Sequence, residues 1–173
     1  MTTTEEIKFN EEALKIVEEI LNQYPTDKSK SALLPLLHLA QAEFDGWLSV
    51  PVMDYVASIL KIKPIEVYEV ATFYSMFHLE PVGKYLIEIC QTSSCWMCGS
   101  EDVINYLEDK LGVETGDITP DGMFQVRKVE CLGSCGTAPM FQIGEKYYEN
   151  LTFEKIDAIL DELRKENKRS RYV

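Results

Sequence analysis

The chain has 173 residues, 46% of them apolar, and a formal net charge of -12. That length allows one compact domain, or a small helical piece joined to a domain of ~100 residues, with a core large enough to need no disulfide staples. The acidic balance argues against nucleic acid and anionic membrane surfaces as partners, and no run reaches the ~18 apolar residues of a membrane span.

The start, MTTTEEIKFNEE, lacks the basic and then apolar order of a secretory signal, so a cytoplasmic location is expected, where thiols stay reduced. Asn10 is expected to cap a first helix with Leu14, Val17, Leu21 and Tyr24 on its apolar face, stopped by Pro25. A second helix runs from about Ala32 to Phe44, with Pro35 in its early turns and Gly46 ending it. Ser49 and Pro51 open a third, carrying Val52, Val56, Ile59 and Leu60. Pro64 opens a fourth, with Val67, Val70, Ala71 and Tyr74 as its stripe. Phe73, Tyr74 and Phe77 either pack into the core, the commoner fate, or form a docking face. His38 and His78, the chain's histidines, have no companion at ligand spacing and no metal role is expected of them.

The turn signal Pro81-Val82-Gly83 marks a change of character, giving an expected helical bundle over 1–80 and a second domain over 81–173. YLIEI alternates as a strand that ends on Cys90. Val103, Ile104, Leu107 and Leu111 make an amphipathic helix that stops before Gly112. MFQVRKVE alternates again and ends on Cys131. Met140 to Ile143 and Lys146 to Tyr148 form a hairpin about Gly144-Glu145. Thr152 caps a last helix, with Phe153, Ile156, Ile159, Leu160 and Leu163 inward, and the basic RKENKRSRYV after it reads as a solvated end. Strand, helix, strand, hairpin, helix is the order of a thioredoxin-like layer, so the expected class is α+β.

All five cysteines fall in two knots: Cys90, Cys95 and Cys98 in ICQTSSCWMCGS, and Cys131 and Cys135 in ECLGSCGTAPM. Cys90 and Cys131 each end a predicted strand and open a segment that holds another cysteine. If those strands are neighbours, both segments leave the sheet at one edge and four thiols converge, the number a [2Fe–2S] cluster requires. Gly133 and Gly136 bracket Cys135 and let backbone N–H groups turn toward sulfur, while Thr92, Ser93 and Ser94 leave room for the sulfides. Three other readings stand beside this one. Cys95-Trp96-Met97-Cys98 is a C-x-x-C between strand and helix, as in thiol–disulfide exchange, although it leaves three cysteines unused. Cys90, Cys95 and Cys98 match the C-x4-C-x2-C of plant-type ferredoxins. Four cysteines at these spacings also permit a structural zinc ion.

Longer phrases carry a resemblance. GWLSVPVMDYVASIL, VYEVATFYSMF, EPVGKY, ICQTSSC, DITPDGMFQVRKVECLGSCGTAPM and YYENLTFEKIDAILDEL together resemble the E-type, 24-kilodalton-type subunits of NADH:quinone oxidoreductase, respiratory complex I. The resemblance covers nearly all of the chain after about residue 10, and its pairing of C-x4-C with C-x3-C inside ECLG-C-APM is specific. It implies a thioredoxin-like [2Fe–2S] ferredoxin domain behind an N-terminal helical bundle. It implies one [2Fe–2S] cluster held by Cys90, Cys95, Cys131 and Cys135, with Cys98 outside the motif. It further implies single-electron exchange with the FMN of a separate NADH-binding subunit, and hence attachment to the cytoplasmic side of the inner membrane through the complex. Relatives of this type occur in NAD-reducing hydrogenases and NAD-linked formate dehydrogenases.

The chain has no G-x-G-x-x-G after a strand and no P-loop, so FMN and NADH are expected on the partner and not here. No catalytic arrangement stands out. Glu130, beside Cys131, reads as a solvated strand-end carboxylate more readily than as a charge tuning the site. The chain is expected to be a redox subunit, not an enzyme by itself.

Overall fold

Among the described residues the two larger apolar cores lie one among helices and one around a sheet, with a small third cluster about Cys90, Cys95 and Met140. The computed structural model describes residues 7–165, and these divide between Pro81 and Val82 into two compact units. The basic tail beyond Lys165 lies outside the described residues.

The first unit holds α1 (Glu11–Asn22), a 3₁₀ turn (Ser29–Ala32), α2 (Leu33–Glu43), α3 (Val50–Leu60) and α4 (Pro64–Phe73). The Asn10 side chain accepts the Ala13 N–H at 2.8 Å, and Glu11 and Glu12 sit in the first turn, where the helix dipole favours negative charge. The buried face of α1 is Ala13 and Val17, with Ile20, Leu21 and Tyr24 half-buried against the core. Leu14, expected inward, is exposed. Small Ala13 takes the inner position instead, and Phe9, just ahead of the cap, fills the space between Phe44 and Tyr55, with ring centroids 5.3 Å from each. Helix α2 is apolar nearly all round and buries Leu33, Leu36, Leu37, Leu39 and Ala40, as a central helix must. Prolines 35, 51 and 64 all fall in first turns, where an N–H has no helical partner to lose.

The aromatics after α4 split. Phe77 is buried, whereas Phe73 is 78% exposed and Tyr74 is exposed as well. Buried Gln41 fixes this turn, donating to the Met76 carbonyl at 3.0 Å and accepting the His78 N–H at 2.7 Å. His38 packs its ring 5.0 Å from that of Phe77.

The second unit holds β1 (Tyr85–Cys90), α5 (Ser93–Met97), α6 (Ser100–Leu111), β2 (Phe124–Val129), β3 (Phe141–Ile143), β4 (Lys146–Tyr148) and α7 (Phe153–Lys165). The sheet order is β2-β1-β3-β4. Strands β1 and β2 run parallel through the crossover that α6 supplies, while β3 pairs antiparallel with both β1 and β4. The entry to β1 needs glycine: a Cβ on Gly83 would stand 2.9 Å from the Gln125 nitrogen. Ile87 and Ile89 of β1 pack with Leu107 of α6 and with Ile156 and Leu160 of α7 in one core. Phe153, expected inward, is 45% exposed; it stacks on Tyr106 at 4.4 Å, so that ring contact joins α7 to α6. Asp157 of α7 accepts from the Tyr106 hydroxyl at 2.8 Å and pairs with Lys110 at 2.9 Å between the same two helices. Among the described residues, no helix is long and apolar enough to cross a membrane.

Candidate metal centre

Cys90, the last residue of β1, stands opposite Val129, the last residue of β2. Parallel neighbours end at the same edge, so the segments that follow both strands emerge together. The first is shorter than Thr92-Ser93-Ser94 suggests. Thr92 instead stands at the N-cap of the single-turn helix α5, its carbonyl accepting the Trp96 N–H at 2.9 Å, and Cys95 sits in mid-helix. Three successive capping-type residues carry that signal. The second segment runs through Cys131 and Gly133, whose φ of 82° only glycine adopts freely, into a 3₁₀ turn at Cys135–Thr137.

The four thiols gather as two pairs. Cys90 and Cys95 are each 2% exposed, hydrogen-bond to one another, and pack with Met140, Leu132 and Ala138. Cys131 and Cys135 are exposed, with their sulfurs 4.0 Å apart. The pairs adjoin: the Leu132 N–H donates to the Cys90 sulfur, and Cys95 lies within the electrostatic reach of Cys135. Cys98 is exposed and forms the C-cap of α5. Among the described residues no three His, Cys, Asp or Glu side chains gather as a single ion would require.

The inner thiols differ in acidity. Burial raises the Cys90 pKa, but the Thr92 hydroxyl at 3.3 Å and the N–H groups of Leu132 and Thr92 more than offset it, so the net shift is downward. Burial, and then the neighbouring Cys90, push Cys95 up to about 11, with the Met140 N–H pulling the other way. A buried thiol held that high is the reverse of the exposed, acidified cysteine that thiol–disulfide exchange uses.

Sequence reasoning missed the groups that hold the outer segment. The Tyr147 hydroxyl donates to the Leu132 carbonyl at 2.7 Å. The Glu149 carboxylate accepts from the hydroxyls of Ser134 and Thr137, the latter at 2.6 Å. Those two bonds, Ser134 first, hold the Glu149 carboxyl below the ordinary range. Alternation along β4 turns Tyr147 away from half-buried Tyr148, but nothing local in the sequence names its partner in the other segment. Glu130 is exposed.

This donor set fits a [2Fe–2S] cluster. It offers four thiols in two pairs, and N–H donors reach Cys90, Cys95 and, from Gly133 at 3.4 Å, Cys131. Comparison with known proteins points the same way. The chain is 47% identical over 156 residues to the E-type subunit of NADH-quinone oxidoreductase from Rickettsia bellii, covering 90% of this chain and 93% of that one. The corresponding protein of Rickettsia conorii is 48% identical over 155 residues, again 90% and 93% of the two chains. Crystal structures of an NAD+-reducing [NiFe]-hydrogenase share the fold. The H2-reduced state superposes with a TM-score of 0.69 at 22% identity over 82% of this chain, which spans only 23% of the hydrogenase chain. The air-oxidised state gives 0.69 at 20% identity, over 87% of this chain and 26% of that one. The thioredoxin-like [2Fe-2S] ferredoxin family matches residues 17–164, a span that takes in both cysteine segments and most of the helical unit, and the chain belongs to that family.

Proposed function

We propose that the chain is an electron-transfer subunit of an NADH-quinone oxidoreductase, with Cys90, Cys95, Cys131 and Cys135 holding one [2Fe–2S] cluster. The observation that carries this reading is the meeting of two thiol pairs, one buried and one exposed, at the shared end of β1 and β2. When bound, such a cluster takes up and releases one electron at a time. The protein contributes placement and environment. Met140 and Leu132 keep water from the inner pair, and backbone N–H groups temper the negative charge on sulfur. The outer pair brings the site to the surface.

The partner is an NADH-binding subunit that carries FMN, and the chain has no catalytic residues of its own. In this reading residues 1–80 dock, and residues 81–173 carry the cluster. Trp96, 61% exposed, and Met97, 79% exposed, follow Cys95 directly and support docking at the cysteine edge. Exposed Phe73 and Ile65 support a docking role for the helical unit. The chain then sits on the cytoplasmic side of the inner membrane through its complex. An equivalent subunit of an NAD-reducing hydrogenase is the second reading; the hydrogenase likeness supports the fold alone, whereas the sequence relatives favour the first.

Iron and sulfide analysis of the anaerobically reconstituted chain tests the site, with about two of each expected per chain. A colourless, iron-free protein sinks the reading. Co-purification with a flavoprotein that oxidises NADH tests the partner, and a chain recovered alone counts against it.

A further inference from the structure

The peptide group joining Leu132 to Gly133 is hydrogen-bonded at both ends. Its carbonyl accepts from the Tyr147 hydroxyl at 2.7 Å, and its N–H donates to the Cys131 sulfur at 3.4 Å. A bond accepted at the carbonyl polarises an amide and strengthens its N–H as a donor. A stronger N–H···S bond draws charge from sulfur and favours the more negative, reduced form of whatever that sulfur holds. The peptide before Met140 repeats the arrangement: the Pro139 carbonyl accepts the Leu151 N–H at 3.0 Å, and the Met140 N–H reaches Cys95. That second relay starts from backbone. The one at Gly133 starts from a side chain, on a residue 43% exposed and outside the apolar core.

We propose that Tyr147 is a positioning residue that raises the electron affinity of the cluster at Cys131, acting through the Leu132–Gly133 peptide. The inference rests on Cys131 being a ligand. Tyr147→Phe keeps the ring and removes only the hydroxyl. In the reconstituted full chain it should retain its iron, while the reduced-to-oxidised ratio at a fixed potential falls about twofold to fourfold, a shift of ~20 to ~35 mV at ~59 mV per tenfold. A monofluorinated tyrosine at 147, a stronger donor, should move the potential the opposite way. Tyr106→Phe removes a hydroxyl bonded to Asp157 instead and should leave the potential unchanged.

Full iron with an unmoved potential in Tyr147→Phe overturns the proposal. If that variant loses iron, the fluorinated chain decides: a raised potential upholds the relay and an unmoved one overturns it. If the wild-type chain itself holds no iron, the ligand reading has failed, and the relay is read on the Gly133 amide proton of the iron-free full chain. An upfield move in Tyr147→Phe then shows the hydrogen-bond relay standing apart from the failed ligand reading, with the effect on electron affinity overturned, and a stationary resonance overturns the relay as well.

Discussion

The two thiol pairs are held by different physics. Cys90 and Cys95 are gripped by core, since one ends a strand buried on both sides, the other sits in a helical turn, and Met140 beneath them is fully buried. Cys131 and Cys135 are held by polar pins, the Tyr147 hydroxyl and the Glu149 carboxylate. Apolar contact is short-ranged and fixes a position by exclusion, so the inner pair is placed by the same packing that forms the sheet. Hydrogen bonds near water are individually modest, so the outer segment is placed by a few bonds that single substitutions remove. In the proposed cluster site the buried pair would form the wall away from water and the exposed pair the wall at the surface.

The largest effect expected is loss of metal. Alanine at Cys90, Cys95, Cys131 or Cys135 should take bound iron from about two per chain to about zero. Full iron retention in Cys131→Ala and Cys135→Ala, with loss in the inner variants, would break the comparison by removing the outer pair from the site. Next comes packing. Met140→Ala empties a fully buried position under both inner sulfurs and should lower unfolding free energy by about 2–4 kcal/mol in urea titration. Leu132→Ala, at a half-buried rim position, should cost roughly half as much.

The inner wall was far more legible in the sequence than the outer. Strand alternation ends on Cys90 and resumes before Cys131, and parallel pairing of those strands brings the two segments to one edge. The apolar faces of α6 and α7 likewise follow from period. Helix α1 shows the limit of that method: Leu14 satisfies the period but faces water, while Ala13 and Val17 are buried and Phe9, from outside the helix, packs against Phe44 and Tyr55. Phe153 fails for a related reason, since stacking on Tyr106 stabilises an aromatic ring without burying it. The outer pins were not legible because Tyr147 and Glu149 reach back to partners in another segment, Leu132, Ser134 and Thr137. No local spacing encodes such a contact.

A smaller effect sharpens the contrast without touching sulfur. Glu149→Gln keeps the shape and removes the charge that accepts from Ser134 and Thr137. Amides of residues 134–137 should then exchange about twofold to tenfold faster at neutral pH, with the inner pair's surroundings unaffected. The sign of the pH dependence follows from the lowered carboxyl pKa. A group depressed in the fold stabilises it above the unfolded value and loses that contribution as pH falls through the folded one. The difference between wild type and variant should therefore close in acid, as the pH falls below the ordinary carboxylate range. A gap that persists there would assign the effect to side-chain packing instead of charge.

The smallest effect belongs to Cys98. It is exposed at the C-cap of α5, and its backbone N–H already reaches the carbonyls of Ser94 and Cys95, so serine replaces it without disturbing the turn. Cys98→Ser should keep its iron. In the loaded wild-type chain alkylation should find about one reactive thiol, and in the variant none, because metal-bound sulfurs are shielded. This near-silent substitution separates the 2+2 arrangement from a set of three ligands in the first segment. Were Cys98→Ser to lose iron while Cys135→Ser kept it, α5 would have to turn its last residue inward, and the buried pair would become a buried triad.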